Sequence, residues 1–592
     1  MKFGSLDLMV LLGYLFIMIG IAVWLAFKDK NENAKDYFLA SGALPWWAVG
    51  GSLIASNIST EQILGMNGSG YVMGLAIAAY ELLAAITLIL VAKFLLPVFI
   101  KEKIYTMPQF LEVRYSRGVR TIMAFFWIVL FIVVNLTSVL YLGALAIESI
   151  LPYDIITLHT AIIGLVIYSL FLSVFGGLKA VVWTDVLQVI ILVIGGFVAA
   201  YTILDFVGAG DVFAGLSGIY ESAPGHFDMI LDKTNPSYDQ LPGIGVLFGG
   251  MWIANIYYWG NNQYIIQRAL GAKDLKEAQR GVAFAAVIKL FIPIFAVIPG
   301  IAAFVILRDP AAYGFTGEGI SANDEAFPWV LNNFVHTGFK GLVLAALIAA
   351  IGSSVSSMVN STSTIFTLDI YKNMLQPDRS EKHYVTVGRI AAIVALCLGA
   401  LLAPLLQDLG QVFQYIQEYT GFISPGVLAV FLFGIFWKRA SANSALVAIA
   451  LSIPLSAFLA YALPEMPFLI RMAACFTLLT VVIFLVSIIE NKSTSRRNSN
   501  GIFVKWLIFA MCIISVPSGL RILAGDVDLN NSIGILILGV CGLVFAGLLM
   551  ERKEDDDNAI ELDSSLFKTE TVFNLCAAFI CLVLFLIYFF LW

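Results

Sequence analysis

Apolar runs long enough to cross a bilayer occupy most of this chain. A membrane-spanning helix needs about 20 consecutive, mostly apolar residues, and sixteen runs approach or exceed that length. They lie at 6–27, 45–72, 74–99, 119–149, 156–175, 181–204, 243–262, 278–307, 340–371, 385–406, 410–437, 443–463, 467–489, 503–523, 531–550 and 571–592. Charged residues make up only 12% of the chain, against about 25% in soluble domains. The sequence therefore predicts an all-α polytopic protein of the cell membrane with about sixteen spans.

The distribution of lysine and arginine predicts the orientation of these spans. If the loop after the first run is cytoplasmic and the sides then alternate, 26 basic residues fall on the inside and six on the outside. Cytoplasmic loops carry such an excess of positive charge. Both termini are therefore predicted to lie outside the cell. The net charge of −6 gives no reason to expect a nucleic-acid partner.

Motifs for catalysis, nucleotide binding or resident metals are not found in the sequence. The six cysteines occur singly, without the spacing of metal ligands. No phosphate-binding loop is present, which disfavours ATP-driven transport. The sequence therefore predicts a protein that is not an enzyme and has no cofactor. A membrane enzyme that uses Glu81 and Lys289 as acid and base stays an alternative, although no nucleophile accompanies them.

The stretch from Pro45 to Gly74 becomes polar in the middle of a span. Six polar residues lie between Ser56 and Gln62, and four glycines follow. Backbone groups released from helical bonding are tolerated at membrane depth only if they are buried in protein or line a cavity. The pattern favours a broken helix whose break forms a binding site. The alternative is an intact helix with one polar face packed on its neighbours.

A second segment repeats part of this stretch. The residues 50–58 and 249–256 both contain the pattern G-G-x-x-I-A followed by N-I, with a slip of one residue. The second segment opens the span at 243–262, five spans after the first, and it too becomes polar. Two interrupted helices at matching places in two five-helix halves predict an inverted repeat with its site between them. A chance match of eight letters is the alternative.

Two opposite charges lie inside predicted spans. Each intramembrane charge costs about 2.5–3.5 kcal/mol, so Glu81 and Lys289 are expected to face one cavity and offset each other, or else to form a purely structural ion pair. Amide and phenol side chains accompany them in other spans, at Gln62, Tyr80, Asn255, Tyr258 and Gln417. No arginine lies within a predicted span, which disfavours a carboxylate substrate. The pattern favours a neutral, polyhydroxylated solute.

The span at 340–371 contains a dense run of hydroxyl groups. Ala350 to Ser354 are followed by seven further serine, threonine or asparagine residues before Ile365. Such hydroxyls, together with carbonyl groups freed at a helix break, suit a dehydrated Na⁺ ion. A polar stripe along a helix–helix contact is the alternative.

Five long segments resemble one known family. They are PWWAVGGSLIASNISTEQILGMNGSGY, NLTSVLYLGALA, GGLKAVVWTDVLQV, NIYYWGNNQYIIQR and FQYIQEYTGFISPG. They are similar to the sodium/solute symporter family, most of all to its sodium–glucose cotransporter branch and to bacterial sodium/galactose symporters. The resemblance covers residues 1–490 and the last helix, and it implies a LeuT-like five-plus-five inverted repeat with extra N- and C-terminal helices. The implied divisions are 1–44, repeat one at 45–204, an extracellular loop at 205–242, repeat two at 243–437, and C-terminal helices at 438–592 with an inserted pair at 503–550.

The resemblance also implies roles for individual residues. The sugar contacts would be Gln62, Glu81, Asn255, Lys289 and Gln417. The inner gate would be Tyr258, and the outer gate Met66, Tyr80 and Phe413. The Na⁺ ligands would be the carbonyls of Ala55, Ile58 and Ala350 and the hydroxyls of Ser353 and Ser354, with Asp185 beside the sodium exit path.

The implied activity is Na⁺-driven symport of a neutral hexose such as galactose or glucose by alternating access. Ala84 departs from galactose-transporting relatives, which have a serine there. A Na⁺ symporter of another neutral solute, such as myo-inositol or a nucleoside, is one alternative. A transporter-like membrane sensor without transport is the other.

Overall fold

The computed structural model describes residues 3–28, 34–151, 156–174, 177–407, 412–490 and 558–592. Within these ranges the chain is almost entirely helical, and fourteen of the predicted spans coincide with helical segments. The described ranges hold ten helices long and apolar enough to cross a membrane, or up to eleven when one bent pair is counted as a span. The remaining helices are shorter, and some of them are pieces of broken spans. The predicted spans 503–523 and 531–550 lie outside the described residues.

The helices of the N-terminal half follow one another with short connections. They are α1 Ser5–Lys28, α2 Ala34–Leu39, α3 Trp46–Asn57, α4 Thr60–Met73, α5 Ala79–Leu90, α6 Leu96–Lys101, α7 Met107–Arg114, α8 Arg117–Val129, α9 Thr137–Ile150, α10 Leu158–Ser173, α11 Gly177–Val207 and α12 Val212–Ser222. Wider π-helical turns at Val91–Leu95 and Leu130–Leu136 join α5 to α6 and α8 to α9. Each of these pairs therefore forms one continuous, bent span.

The C-terminal half has the same character. Its helices are α13 Gly245–Phe248, α14 Gly250–Ile256, α15 Gln263–Leu270, α16 Leu275–Lys289, α17 Ile292–Ala296, α18 Ile298–Arg308, α19 Ala326–Phe334, α20 Phe339–Ile365, α21 Glu381–Leu402, α22 Val412–Phe436, α23 Ala442–Ala462, α24 Phe468–Glu490 and α25 Thr571–Phe590. A π-helical turn at Tyr257–Asn261 follows α14, and another at Phe366–Leu375 extends α20.

Packing relates the two five-helix halves to each other. The first span of each half is interrupted, as α3 and α4 in one half and as α14 and α15 in the other. The fifth span packs against the first within each half, α11 on α3 and α22 on α14, and the second spans α5 and α16 pack on each other. The predicted five-plus-five, all-α fold class is confirmed by this arrangement.

The glycines of the repeated pattern mark close approaches between helix backbones. A Cβ atom at Gly50 would lie 2.6 Å from the carbonyl oxygen of Gly281, so α3 and α16 nearly touch. A Cβ at Gly250 would lie 2.1 Å from the carbonyl oxygen of Leu469, which places α14 against α24. Only glycine fits at such distances. The glycines of the repeated pattern therefore allow each interrupted helix to pack closely against a neighbouring helix.

Short helices occupy the connection between α11 and α13 and the connection between α18 and α20. Helix α12 is largely exposed. Helix α19 is not a surface helix, because Ala326, Phe327 and Trp329 on it are buried and it packs on α4. The connection between α18 and α20 therefore covers α4, the second helix of the first interrupted span.

We expect Gly300→Ala to destabilise the protein by about 1–3 kcal/mol through overpacking. A Cβ at Gly300 on α18 would lie 2.0 Å from the carbonyl oxygen of Asn67 on α4. Gly164→Ala on α10 is the matched control, because a Cβ there meets no atom within 4 Å. Thermal unfolding of both purified variants in detergent checks this. A Gly300→Ala protein that melts with the wild type would contradict the close packing of α18 on α4.

Candidate solute and sodium sites

The first interruption releases two backbone carbonyl groups. Ile58 and Ser59 are extended between α3 and α4, with ψ of 92° and −178°. The N–H of Ser59 donates to the Asn57 carbonyl at 2.9 Å, and the N–H of Gln62 donates to the Ser59 carbonyl at 3.1 Å. In an unbroken helix these two N–H groups would bond to the carbonyls of Ala55 and Ile58. The predicted broken helix is confirmed, and its break leaves both carbonyls available.

The second interruption turns aromatic side chains toward the same space. Helix α14 ends at Ile256, the π-helical turn Tyr257–Asn261 follows, and Asn262 is extended, with φ −81° and ψ 121°. Such wide turns are rare and occur mostly at functional sites. The turn brings Tyr258 and Trp259 to the wall of a cavity. Both interruptions therefore border one site.

The cavity between the interruptions holds about 830 Å³ of space free of protein atoms, solvent at its edge included. Its lining includes all five residues predicted to contact a solute: Gln62, Glu81, Asn255, Lys289 and Gln417. The predicted inner-gate residue Tyr258 and the departing residue Ala84 also line it. The structure thus brings together side chains from five separate spans.

Lys289 is the centre of the polar contacts in this cavity. Its Nζ donates to Oε2 of Glu81 at 2.5 Å and to Oδ1 of Asn57, and it lies 4.8 Å from the ring centre of Trp259. Lys289 is the last residue of α16, where the span bends by 42° toward α18. The ion pair joins the second spans of the two halves. The sequence indicated the pair but not its contacts with Asn57 and Trp259.

A chain of hydrogen bonds continues from Asn57 across the cavity. Nδ2 of Asn57 donates to the hydroxyl of Tyr258 at 3.2 Å, and the hydroxyl of Tyr264 donates to the same oxygen at 2.8 Å. These hydrogen bonds therefore connect four elements: α16 through Lys289, α3 through Asn57, the π-helical turn through Tyr258 and α15 through Tyr264. The position of Tyr258 depends on the end of α3.

Several cavity groups lack a hydrogen-bond partner within the described residues. They include Oε1 of Gln62, Nδ2 of Asn255 and Oγ1 of Thr420. Buried polar groups are almost always paired, so donors and acceptors facing a cavity indicate a polar ligand. Thr420 was missed by the sequence analysis. It could have been predicted from its helical spacing, because it lies three residues after Gln417 on α22.

Of the three residues predicted to form the outer gate, only Tyr80 is among the described residues that line the cavity. Met66 is fully buried on α4 and is not among the residues that line the cavity. The side chain of Phe413 lies outside the described part of the structure. The grouping of these three residues therefore stays a prediction.

Hydroxyl groups of α20 face the broken end of α3. The Ser354 hydroxyl donates to the Ser56 carbonyl at 3.2 Å, and the hydroxyls of Ser56 and Ser357 lie 2.9 Å apart. Ser353 donates to Oδ1 of Asp185 at 2.6 Å. Ala55, Ile58 and Ala350 are buried on the same two helices. Neutral oxygen atoms of this kind suit a Na⁺ ion, and the described residues hold no cluster of three acidic, histidine or cysteine side chains.

Asp185 contacts side chains from several helices of the candidate sodium region. Its Oδ2 accepts from Ser52 at 2.5 Å and from Ser56 at 3.3 Å, and Nη2 of Arg268 lies 3.7 Å away. These contacts join α3, α11, α15 and α20. The expectation that no arginine enters a span is wrong, because α15 continues the span predicted to end at 262 and Arg268 is fully buried on it. The span was predicted to end at 262 because the residues after Asn261 are polar.

Two interrupted helices that cross around a buried polar cavity, with backbone carbonyls freed beside hydroxyl groups, define a secondary transporter of the inverted-repeat class. Residues 37–451 match the model of the Sodium:solute symporter family. The chain belongs to this family of transporters. The predicted family, and with it Na⁺-coupled solute symport by a multi-pass membrane protein, is confirmed.

Relatives and a solved structure agree with this assignment. The chain is 51% identical to the Sodium/glucose cotransporter of Vibrio parahaemolyticus over 515 residues, which cover 85% of this chain and 94% of that one. It is 34% identical to the human Sodium/myo-inositol cotransporter 2, over 74% of this chain and 67% of the relative. The substrate-bound, outward-open structure of a Na⁺-coupled sialic acid symporter is 27% identical, with a TM-score of 0.71, over 82% of this chain and 98% of that one.

We expect Lys289→Ala to destabilise the protein by about 3–5 kcal/mol, because it leaves Glu81 charged, buried and unpaired. Lys289→Met combined with Glu81→Gln should recover most of the loss. Lys372→Ala is the control, since its ion pair with Glu381 is exposed and such pairs contribute about 0–1 kcal/mol. Thermal unfolding of the three variants checks this. Equal melting of Lys289→Ala and Lys372→Ala would show that the buried pair does not stabilise the fold.

Proposed function

We propose that this protein uses the Na⁺ gradient to import a neutral hexose, galactose or glucose. The observation that carries the proposal is the cavity itself: the charge of Lys289 is met by Glu81, while amide groups of Gln62 and Asn255 have no protein partner in the described residues. A carboxylate solute would need a free positive charge there. A polyhydroxylated solute needs donors and acceptors. The printed name of the Vibrio relative supports a sugar.

In this proposal the sugar hydroxyls bond to Gln62, Glu81, Asn255, Lys289 and Gln417. The aromatic rings of Tyr258 and Trp259, which meet edge to face at 5.2 Å, offer an apolar surface to the sugar ring. Tyr258 blocks the inner side, and Met66, Tyr80 and Phe413 close the outer side.

The coupling ion would bind where α3 breaks. The carbonyls of Ala55, Ile58 and Ala350 and the hydroxyls of Ser353 and Ser354 would surround Na⁺, and Asp185 would receive the ion as it leaves. Asn57 lies between Ala55 and Ile58 in the chain and bonds to Tyr258. Loss of Na⁺ therefore loosens the end of α3 and, through Asn57, the gate. Binding of Na⁺ holds the gate closed until sugar has bound.

The energy available is sufficient for strong accumulation. One Na⁺ that falls through about 100 mV supplies roughly 2.3 kcal/mol. A tenfold concentration gradient adds about 1.4 kcal/mol. At one Na⁺ per sugar, the sum supports a several-hundred-fold sugar gradient, on the order of 10² to 10³.

The arrangement in the membrane follows from the same proposal. Repeat one spans 45–204 and repeat two spans 243–437, with the segments 1–44, 205–242 and 438–592 outside the repeats. The protein lies in the cell membrane, and the excess of basic residues on one side places both termini outside.

A second candidate solute is myo-inositol. The human relative is a Sodium/myo-inositol cotransporter by name, and Ala84, which lines the cavity, removes one hydroxyl contact that galactose-transporting relatives have. Competition of unlabelled galactose, glucose and myo-inositol against labelled uptake ranks the three solutes. A hexose is expected to compete best.

Uptake of labelled galactose or glucose into proteoliposomes is expected to require an inward Na⁺ gradient. Gln62→Ala should abolish this uptake, because the cavity loses an amide that faces the solute. Gln279→Ala is the matched control, since this buried glutamine bonds to the Ala92 carbonyl at 3.0 Å and lies away from the cavity lining. Uptake that is indifferent to Na⁺ would refute symport, and normal uptake by Gln62→Ala would refute the solute site.

We expect Ser354→Ala to raise the Na⁺ concentration for half-maximal uptake by about tenfold, as the loss of one ligand of about 1.4 kcal/mol implies. Ser356→Ala is the control, because its hydroxyl bonds to the Ser353 carbonyl of its own helix at 2.9 Å. The dependence of initial uptake on Na⁺ measures both. The same Na⁺ response in Ser354→Ala and wild type would place the ion elsewhere.

A further inference from the structure

Helix α1 precedes both repeats and packs on α20, the helix that carries three of the proposed sodium ligands, as well as on α10 and α11. Its buried face repeats at intervals of three and four residues, as one side of a helix does, and it consists of Asp7, Leu11, Tyr14, Met18, Ala22 and Leu25. Two members of this face, Asp7 and Tyr14, are polar. Neither has a part in the transport mechanism proposed above.

Asp7 caps the N-terminus of α20. Its side chain is fully buried, and Oδ1 accepts from the N–H of Gly338 at 2.7 Å and from the N–H of Gly341 at 2.9 Å. The first N–H groups of a helix have no partner within the helix, and the helix dipole favours a carboxylate beside them. A Cβ at Gly341 would lie 2.2 Å from the carbonyl oxygen of Asp7, so the two backbones are in contact. Helix α1 therefore fixes the point at which α20 begins.

Tyr14 reaches the middle of α20 through a second tyrosine. Its hydroxyl lies 2.8 Å from the hydroxyl of Tyr168 on α10, which also accepts from Nε2 of Gln188 on α11 at 3.1 Å. A Cβ at Gly352 of α20 would lie 2.4 Å from Cε1 of Tyr168 and 3.2 Å from Nε2 of Gln188. The ring of Tyr168 and the amide of Gln188 therefore pack directly on the backbone of Gly352.

Gly352 lies inside the segment that is proposed to bind Na⁺. Ala350 precedes it by two residues, and Ser353 follows it directly. Asp185, which lies one turn before Gln188 on α11, accepts from the hydroxyl of Ser353 at 2.6 Å. The segment is thus held at two neighbouring residues: a carboxylate binds its serine, and the tyrosine ring and the glutamine amide pack on its glycine.

We propose that α1 positions the segment Ala350–Ser354 for Na⁺ binding, through the Asp7 cap and through the pair of Tyr14 and Tyr168. This positioning role rests on the proposed function and gives a part in ion binding to a helix outside the two repeats. One carbonyl and two hydroxyl groups of the segment would have to stand at fixed distances from the ion, so a small shift of its backbone weakens Na⁺ binding. The three positioning residues are not among the described residues that line the solute cavity, so solute binding at saturating Na⁺ is kept.

The tyrosine pair is tested with the full-length variants Tyr14→Phe and Tyr168→Phe, which keep the rings and remove the hydroxyls. Initial uptake of labelled galactose or glucose into proteoliposomes is measured against Na⁺ concentration and, at saturating Na⁺, against sugar concentration. We expect the Na⁺ concentration for half-maximal uptake to rise at least about fivefold, as the loss of one hydrogen bond implies. The maximal rate and the half-saturating sugar concentration should stay at the wild-type values, which also shows that the variants are folded.

Tyr115→Phe is the matched control. The buried hydroxyl of Tyr115 donates to the Val430 carbonyl on α22 at 2.8 Å, so this variant loses a hydrogen bond of the same kind away from α1 and α20. It is expected to keep the wild-type Na⁺ response.

The cap is tested with Asp7→Ala and Asp7→Asn. Asparagine keeps an oxygen acceptor at the end of α20, so Asp7→Asn should need less Na⁺ than Asp7→Ala. The melting temperature of each purified variant, in Na⁺ and with choline in its place, gives a readout that does not depend on transport. The rise caused by Na⁺ should be smaller in the positioning variants than in wild type and unchanged in Tyr115→Phe.

Three results would overturn the positioning role. The first is a wild-type Na⁺ dependence of uptake and melting in Tyr168→Phe. The second is an equal shift in Tyr115→Phe, which would make the effect a general loss of stability. The third is a raised half-saturating sugar concentration with an unchanged Na⁺ requirement, which would assign the tyrosine pair to the solute. A wild type that takes up no labelled hexose, while Na⁺ still raises its melting temperature, would instead refute the proposed hexose transport.

Discussion

The interruption at Ile58 is the constraint on which the rest of the structure depends. A backbone polar group inside a membrane must be paired within the protein or face a cavity, so a break there is stable only if other groups gather around it. On one side of the break the Ser354 hydroxyl of α20 donates to the Ser56 carbonyl. On the other side Asn57 reaches Lys289 and Tyr258. The proposed ion region and the solute cavity therefore share one short piece of backbone.

The buried ion pair between Lys289 and Glu81 links the two halves of the fold at the cavity. Lys289 and Glu81 sit on the second spans of opposite repeats, and their charges compensate in a region where either alone would be costly. Because Lys289 also bonds to Asn57, the pair is connected to the break in α3. The proposed sodium region is thus connected to the cavity by two hydrogen bonds of Asn57, one to Lys289 and one to Tyr258.

Much of this could be predicted from the sequence, for physical reasons. Charge and amide groups inside apolar spans are costly, so Gln62, Glu81 and Lys289 stood out against their surroundings, and the repeated glycines marked both interrupted helices. The resemblance to the family supplied the gate and ion roles, which periodicity alone does not contain. Trp259 and Arg268 were not predicted, because their positions depend on the π-helical turn after α14. This turn rotates the residues that follow it, and the helical segment continues beyond the end of the apolar run.

The distribution of tight and loose contacts indicates which parts move together. Helices α3 and α16 approach each other closely at Gly50 and Gly281, and this pair of helices carries both Asn57 and Lys289. Tyr258 belongs to a π-helical turn, whose widened backbone adjusts more easily than a regular helix. In the proposed mechanism, opening of the sodium region keeps the bond between Asn57 and Lys289 and breaks the bond between Asn57 and Tyr258. The proposed gate then moves relative to a closely packed pair of helices, so that on this mechanism loss of the ion precedes release of the solute.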